Sequence, residues 1–310
     1  MEVDGGRVET ESGLGSNWAE LTRECLLDIL SRLTMEERWT GPFLTCKAWT
    51  TACKDPSLNT VLDLETRFRS STESSSWWSS EFERKIDSVL RSVVDWSDGG
   101  LTVIRVRHCT DRSLSYAAER CPNLEVLWVK SCPKVTDASM AKIASNCPKL
   151  KELNVSYCYE ISHESLTMLG RNCQNLEILK RNLMNRLDPS QHMRVVPLDY
   201  LDAIPQDGNS EAEAIGRNMP QLKHLELQFS TLNAKGLASV CEGCRDLEHL
   251  DVFGCVNLTS RNIFDGTVNM KSLKVIKRPN FYIPRSVFNL GRYGHWRLYE
   301  DRFQTDVFRI

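Results

Sequence analysis

Two stretches of this chain decide its architecture: CPNLEVLWVKSC at 121–132 and CPKLKELNVSYC at 147–158. Each opens and closes on cysteine, and the second lies 26 residues after the first. CRDLEHLDVFGC at 244–255 has the same form. Aligned on their apolar residues, the three share the spacing L-x-x-L-x-V-x-x-C. It places Leu124, Leu127, Val129 and Cys132 in one copy, Leu150, Leu153, Val155 and Cys158 in the next, and Leu247, Leu250, Val252 and Cys255 in the third. An earlier copy holds Leu101, Ile104, Val106 and Cys109. Weaker copies begin at Leu176, Leu222 and Leu273, so the start-to-start steps are 23, 26, 26, 46, 25 and 26 residues.

The physics behind the spacing is alternation. In VLWVK, Leu127 and Val129 face one way and Trp128 and Lys130 the other. A lone short strand cannot bury its inward pair, whereas a second copy stacked beside it can. A helical stretch follows each strand. TDASMAKIASN puts Met140, Ile143 and Ala144 at helical spacing, and SHESLTMLGRN does the same for Leu166 and Leu169. A strand and a helix per unit, at a period of about 20–29 residues, is the leucine-rich-repeat signature. About seven copies predict an α/β fold, a right-handed solenoid with a parallel sheet on its concave face and helices on its convex face.

The cysteines follow from that architecture. Cys121 and Cys132 flank one strand, and a largely extended chain at ~3.3 Å per residue keeps them apart without a tight turn. Equivalent cysteines in successive repeats fall instead into rows about 4.8 Å apart, the spacing of neighbouring strands. Small, nearly apolar thiols suit such a row. CEGC at 241–244 has no second pair to complete a zinc set. No metal and no cofactor is expected. The polar, acidic N-terminus lacks a basic region and an apolar core, so it reads as no secretory signal, and the twelve cysteines are expected to stay reduced.

The composition is that of an ordinary soluble protein, 41% hydrophobic and 26% charged, with a formal net charge of −2. That charge gives no general affinity for nucleic acid or an anionic membrane, and no apolar run approaches the ~18–20 residues that span a bilayer. Cytoplasm or nucleus is the expected location.

Ahead of the repeats lies a different unit. Leu26, Ile29, Leu30 and Leu33 share one face of a short helix, with Thr22 as a plausible N-cap. Gly41-Pro42 breaks the chain, and a second helix carries Cys46, Trp49 and Cys53 on a stripe. So small a unit buries little core, and its apolar stripe invites a protein partner.

ELTRECLLDILSRL followed by CKAWTTACKDPSLN resembles an F-box. Leu21, Leu26, Leu27, Ile29, Leu30, Leu33, Cys46, Lys47, Trp49, Asp55, Pro56 and Leu58 match that motif. Thr22 stands where Pro is usual and Asn59 where Trp is usual. The repeats resemble the cysteine-containing leucine-rich subclass, with Thr-Asp after the cysteine in VTDASM. Together they resemble plant F-box/leucine-rich-repeat proteins of the Skp-interacting-partner type. The resemblance implies a non-catalytic substrate receptor of a Skp–cullin–F-box ubiquitin ligase. Its partners would be a Skp-type adaptor and, through it, a cullin and a RING subunit, with an unidentified target protein on the repeats. The resemblance assigns adaptor binding to Leu21, Leu26, Leu27, Ile29, Leu30, Leu33, Cys46, Lys47, Trp49, Pro56 and Leu58.

The expected layout is a disordered 1–16, an F-box at 17–62, a serine-rich linker at 63–80, the solenoid at 81–290 and an aromatic cap or tail at 291–310. FERKIDSVLRSVVDW opens the solenoid as a helix. The long step after Leu176 marks an insertion at about 182–208, proline-punctuated and carrying tyrosine and apolar residues, read as a functional loop. Outward strand positions supply the candidate target-binding residues: Arg105, Arg107, Trp128, Lys130, Lys180, Glu226, Asp251 and Phe253. Asn154, Ser156, Asn182 and Gln228 share that face. Its first half reads basic and its second half acidic, with Trp128 and Phe253 as aromatic anchors. The rival readings are a repeat scaffold without ligase recruitment, an enzyme, and a hormone receptor. The chain has no Gly-rich phosphate loop and no G-x-S-x-G, and alternation points His108 away from Cys109.

Overall fold

The computed structural model describes residues 18–70, 74–185, 195–203, 207–279 and 308–309. The chain divides into two compact units, Met1–Leu58 and Asn59–Ile310.

The first unit holds α1 (Arg23–Ser31), α2 (Met35–Thr40) and α3 (Lys47–Cys53), with a 3-10 turn between α2 and α3. Each boundary has a local cause. Thr22 Oγ1 accepts the Cys25 N–H at 3.4 Å and so caps α1. Thr34 and Glu37 form a reciprocal capping box at the start of α2. Pro42 then opens a 3-10 turn, Pro42–Leu44. The core is Leu26, Leu30, Ala52, Cys53 and Leu58. Beside it the buried Arg38 guanidinium donates to the Leu58 carbonyl at 2.7 Å.

The second unit runs β1 (Val61–Asp63), α4 (Glu65–Ser70), a 3-10 turn at Ser75–Trp78, α5 (Ser80–Ser97), β2 (Val103–Arg107), α6 (Asp111–Arg120), β3 (Val126–Lys130), α7 (Asp137–Asn146), β4 (Glu152–Asn154) and α8 (His163–Asn172). It continues with β5 (Ile178–Lys180), α9 (Leu198–Asp202), α10 (Gly208–Asn218), β6 (His224–Glu226), α11 (Ala234–Gly243), β7 (His249–Asp251), α12 (Ser260–Thr267), β8 (Val275–Lys277) and β9 (Phe308–Arg309). The strands lie in sequence order in one sheet. Neighbours from β1 to β8 are parallel, and β9 joins β8 antiparallel. β2 to β8 are the seven copies read from the sequence. Leu62, Ile104, Leu127, Leu153, Leu179, Leu225, Leu250 and Ile276 align rung on rung and are fully buried.

The cysteines form two rows. At the helix C-caps, Cys121, Cys147, Cys173 and Cys244 return their N–H to the carbonyl four residues back. The Cys147 and Cys173 thiols donate to the carbonyls of Cys121 and Cys147, each at 3.6 Å. Past the strands, Cys109 and Cys132 lie 3.6 Å apart, and the Cys158 and Cys255 thiols donate to Val129 and Leu227 carbonyls at 2.9 and 3.1 Å. Burial pushes the Cys147, Cys244 and Cys255 thiols up to about 12, far from the thiolate that metal binding or nucleophilic attack requires.

The Thr-Asp pair also has a mechanical reading. Thr136 caps its own helix, accepting the Ala138 N–H at 3.2 Å. Asp137 reaches forward to the next cap, taking the Ser162 N–H at 2.8 Å. Asp111 serves Thr136 in the same way, and Asp87 serves Thr110. The starts of α6, α7 and α8 are thereby tied in series, and the start of α6 to the middle of α5.

Two expectations change. The stretch 63–80 is no solvated linker. β1 pairs with β2 with Leu62 opposite Ile104, an eighth rung. The same register sets the buried Asn59 opposite Leu101, and a polar residue at the first leucine position hides the copy from the repeat pattern. Phe68 and Trp77 stack with Phe82 and His108. The boundary between units accordingly falls after Leu58, not at 62. The insertion packs into the fold where it is described. Tyr200 of α9 is buried against Tyr159, Leu183, Met184 and Val196. Its ring lies 4.7 Å from Tyr159 and 4.6 Å from Trp78, so insertion and former linker meet. The expectations for 1–16 and 291–310 lie outside the described residues, apart from Phe308–Arg309.

Arg181 occupies the valine position of its repeat and is fully buried. Its guanidinium donates to the carbonyls of Cys158 and Ile161 at 2.8 and 3.0 Å and pairs with Glu211 of α10 at 2.9 Å. Removing one partner of such a pair strands the other charge, at a cost of about 3–5 kcal/mol. Arg181→Val is therefore expected to lower unfolding stability by that order, and Arg181→Val with Glu211→Leu to recover most of it, as read by urea denaturation.

Candidate docking surfaces

The first unit separates its apolar residues into two sets. Of the residues assigned to adaptor binding, Leu26, Leu30 and Leu58 are buried in the core of the unit. Leu21, Leu27, Leu33 and Trp49 pack partly against them, and Ile29 and Cys46 are half-buried. Lys47 and Pro56 are exposed. The Trp49 indole N–H donates to the Trp18 carbonyl at 2.9 Å, tying the chain start to α3. Asp55, buried, holds Ser57 N–H at 3.0 Å and the Arg23 guanidinium, which fixes the last turn. Among the described residues of the unit, the most open large apolar side chains are Leu44, 74% exposed, and Trp18, 61% exposed. Neither was singled out by the motif. Gly41-Pro42 was legible as a break, and the sequel, that Phe43 turns in and Leu44 out, needed three dimensions.

In the second unit, the face of the sheet away from the helices carries the outward residues as expected, but their charges are not free. Asp63 takes Arg105 at 2.8 Å. Glu65 takes Arg107 through both oxygens at 2.9 and 2.7 Å and Lys130 at 3.2 Å. Lys180 meets Glu226 at 3.0 Å, and Lys277 meets Asp251 at 3.1 Å. Asp251 is fully buried, and Asn154, Ser156 and Asn182 are buried too. The basic-to-acidic gradient is thus cancelled rung by rung, with Asp63 and Glu65 supplied by the stretch read as linker. Trp128 is half-buried, donates its indole N–H to Glu152 at 2.9 Å and stacks under Arg105 at 4.7 Å. Phe253, 37% exposed, keeps an outward position.

Titration follows from these contacts. Burial works to raise the Glu65 carboxyl, but the Arg107 hydrogen bonds and the Lys130 charge outweigh it and hold the pKa at about 2. Glu226 is likewise held well below the usual range by His224, Asn182 and Lys180 against the effect of burial. His108 is buried among Phe68, Trp77, Trp78 and Phe82, and desolvation with the Arg107 charge pulls it down to about 4. It stays neutral and packed. Among the described residues, no group of three or more His, Cys, Asp or Glu could hold a metal ion, and no helix is long and apolar enough to cross a membrane.

No family model matches the chain. Curated proteins match it along nearly its whole length. Putative F-box/LRR-repeat protein 19 of Arabidopsis thaliana is 64% identical over 299 residues, covering 96% of this chain and 99% of that protein. F-box protein SKIP1 of the same plant is 59% identical over 298 residues, with the same coverage of 96% and 99%. Putative F-box/LRR-repeat protein 21 is 31% identical over 84% of this chain and 80% of its own length.

A group whose pKa is depressed by folding adds stability above its unfolded pKa and loses it as pH falls toward the folded value. For Glu65 the window runs from about 4.5 down to about 2. Lys130 is pulled down as well, by burial, which for a cation is a cost, so the net worth is on the order of 1–2 kcal/mol. Glu65→Gln is expected to cost that much near neutral pH and to flatten the acid loss of stability within the window, as read by urea unfolding at stepped pH.

Proposed function

Because the chain belongs to the plant F-box/leucine-rich-repeat family, we propose that it is the substrate-recognition subunit of a Skp–cullin–F-box ubiquitin ligase. The first unit docks on the Skp-type adaptor, and cullin and RING subunits join through that adaptor. The repeats hold a target protein, and the chain performs no chemistry of its own. It acts by effective concentration, keeping target lysines beside the transfer centre so that modification becomes an intramolecular event. The work takes place in cytoplasm or nucleus.

The observation that carries this reading is the division of the first unit. Its core consumes Leu26, Leu30 and Leu58, yet Leu44 and Trp18 remain open to solvent. Both are large apolar side chains left free of the core and so accessible to a partner. The family relationship supplies the partner's class.

The test is co-purification of the full chain with a Skp-type adaptor. Leu44→Glu is expected to abolish capture while leaving the melting temperature unchanged. Leu30→Ala removes a buried side chain and is expected to cost about 2–5 kcal/mol of stability, losing capture through unfolding. If folded wild-type protein captures no adaptor, the ligase reading fails and a repeat scaffold without ligase recruitment takes its place.

A further inference from the structure

Among the described residues, the charges on the open face of the sheet named above are paired. Its acids and bases answer one another across rungs, and a target binding there would have to part pairs such as Lys180–Glu226. The edge where the strands end is different. There the chain turns through a left-handed residue just before the second cysteine row, at His108, Ser131, Tyr157, Phe229 and Gly254. At Gly254 a Cβ would strike the Phe229 ring at 2.3 Å. Tyr157 and Phe229 adopt φ values of 64° and 56°, which bulky side chains rarely take. Such strain persists where the surroundings impose it and gathers at functional sites. Here it throws aromatic rings over the edge.

Those rings join the insertion. Tyr157, Leu201 and Phe229 are partly buried against the cluster around Tyr200, and Phe229 meets Phe253 edge-on at 5.6 Å. Leu198, on the same short helix as Tyr200, is 70% exposed. The result is an apolar strip along the edge from β4 to β7. Its border is acidic. Glu160 and Asp199 are the chain neighbours of the stacked Tyr159 and Tyr200. Glu160, Asp199 and Asp202 are exposed and enter no ion pair among the described residues, unlike the charges on the open face.

We infer that this edge is the target-docking surface, and that its occupant is a segment of the target bearing large apolar side chains flanked by lysine or arginine. The inference rests on the substrate-receptor reading and deepens it. Apolar anchors supply the affinity, and the unpaired carboxylates select the charge of the flanks.

The probes are three synthetic peptides sharing one Leu- and Phe-bearing core and differing in Lys, Glu or Ser flanks. Their binding to the full chain is followed by fluorescence anisotropy. The Lys-flanked peptide is expected to bind at least about tenfold tighter than the Glu-flanked one. Leu198→Ser with Phe253→Ser, both exposed positions, should weaken it by about tenfold or more. Asp199→Lys with Asp202→Lys should invert the flank preference while the melting temperature holds. Equal binding of all three peptides, no binding, or binding unchanged in both variants overturns the inference. So does a wild-type dimer that the apolar double variant dissociates, since the occupant would then be a second copy of the chain. Adaptor capture is measured in the same preparations. Its failure alone sinks the ligase reading and leaves the peptide result standing.

Discussion

No rung of this sheet can bury its inward side chains alone, and everything else in the second unit follows from that. Leu127 is buried because Ile104 and Leu153 lie on either side of it in register. Stacking at one fixed spacing then repeats every accessory at that spacing: the thiol-to-carbonyl row at the helix ends, the Asp that holds the next helix's cap, and the paired Glu125–Lys151, Glu177–Lys223 and Glu248–Lys274 along one border. A polar side chain enters the inward row only where every group finds a partner. Arg181 meets that condition through two neighbouring carbonyls and Glu211, which is why a valine position tolerates an arginine.

The same stacking governs charge. Equivalent outward residues sit about 4.8 Å apart, close enough that like charges would repel and unlike charges pair. Arg105 and Arg107 are met by Asp63 and Glu65, one rung earlier. A repeat read by itself therefore carries an apparent charge that its neighbour cancels. The face is left electrostatically quiet, and the left-handed turns at Tyr157 and Phe229 place aromatic rings at the edge where the strands end.

The first unit solves a different problem. Its core takes Leu26, Leu30 and Leu58, and Leu21, Leu27 and Leu33 pack partly against it. A motif records which positions recur without separating those that hold the fold from those that face outward. Leu30 and Leu44 are both leucines of the same short segment, one fully buried and the other 74% exposed, and only the first belonged to the motif.

The seven copies from Leu101 to Leu273, the strand-then-helix order, the cap at Thr22 and the two cysteine rows were all determined by the sequence alone, because each is a local or strictly periodic signal. The eighth rung escaped because Asn59 stands at a leucine position. The pairing of Trp78 with Tyr200, the neutral face and the burial of Asp251 were decided by tertiary structure. They join residues separated by one or more whole repeats, and a contact of that kind leaves no period in the chain. Alternation says which face a side chain takes, whereas what it meets there depends on the neighbouring rung.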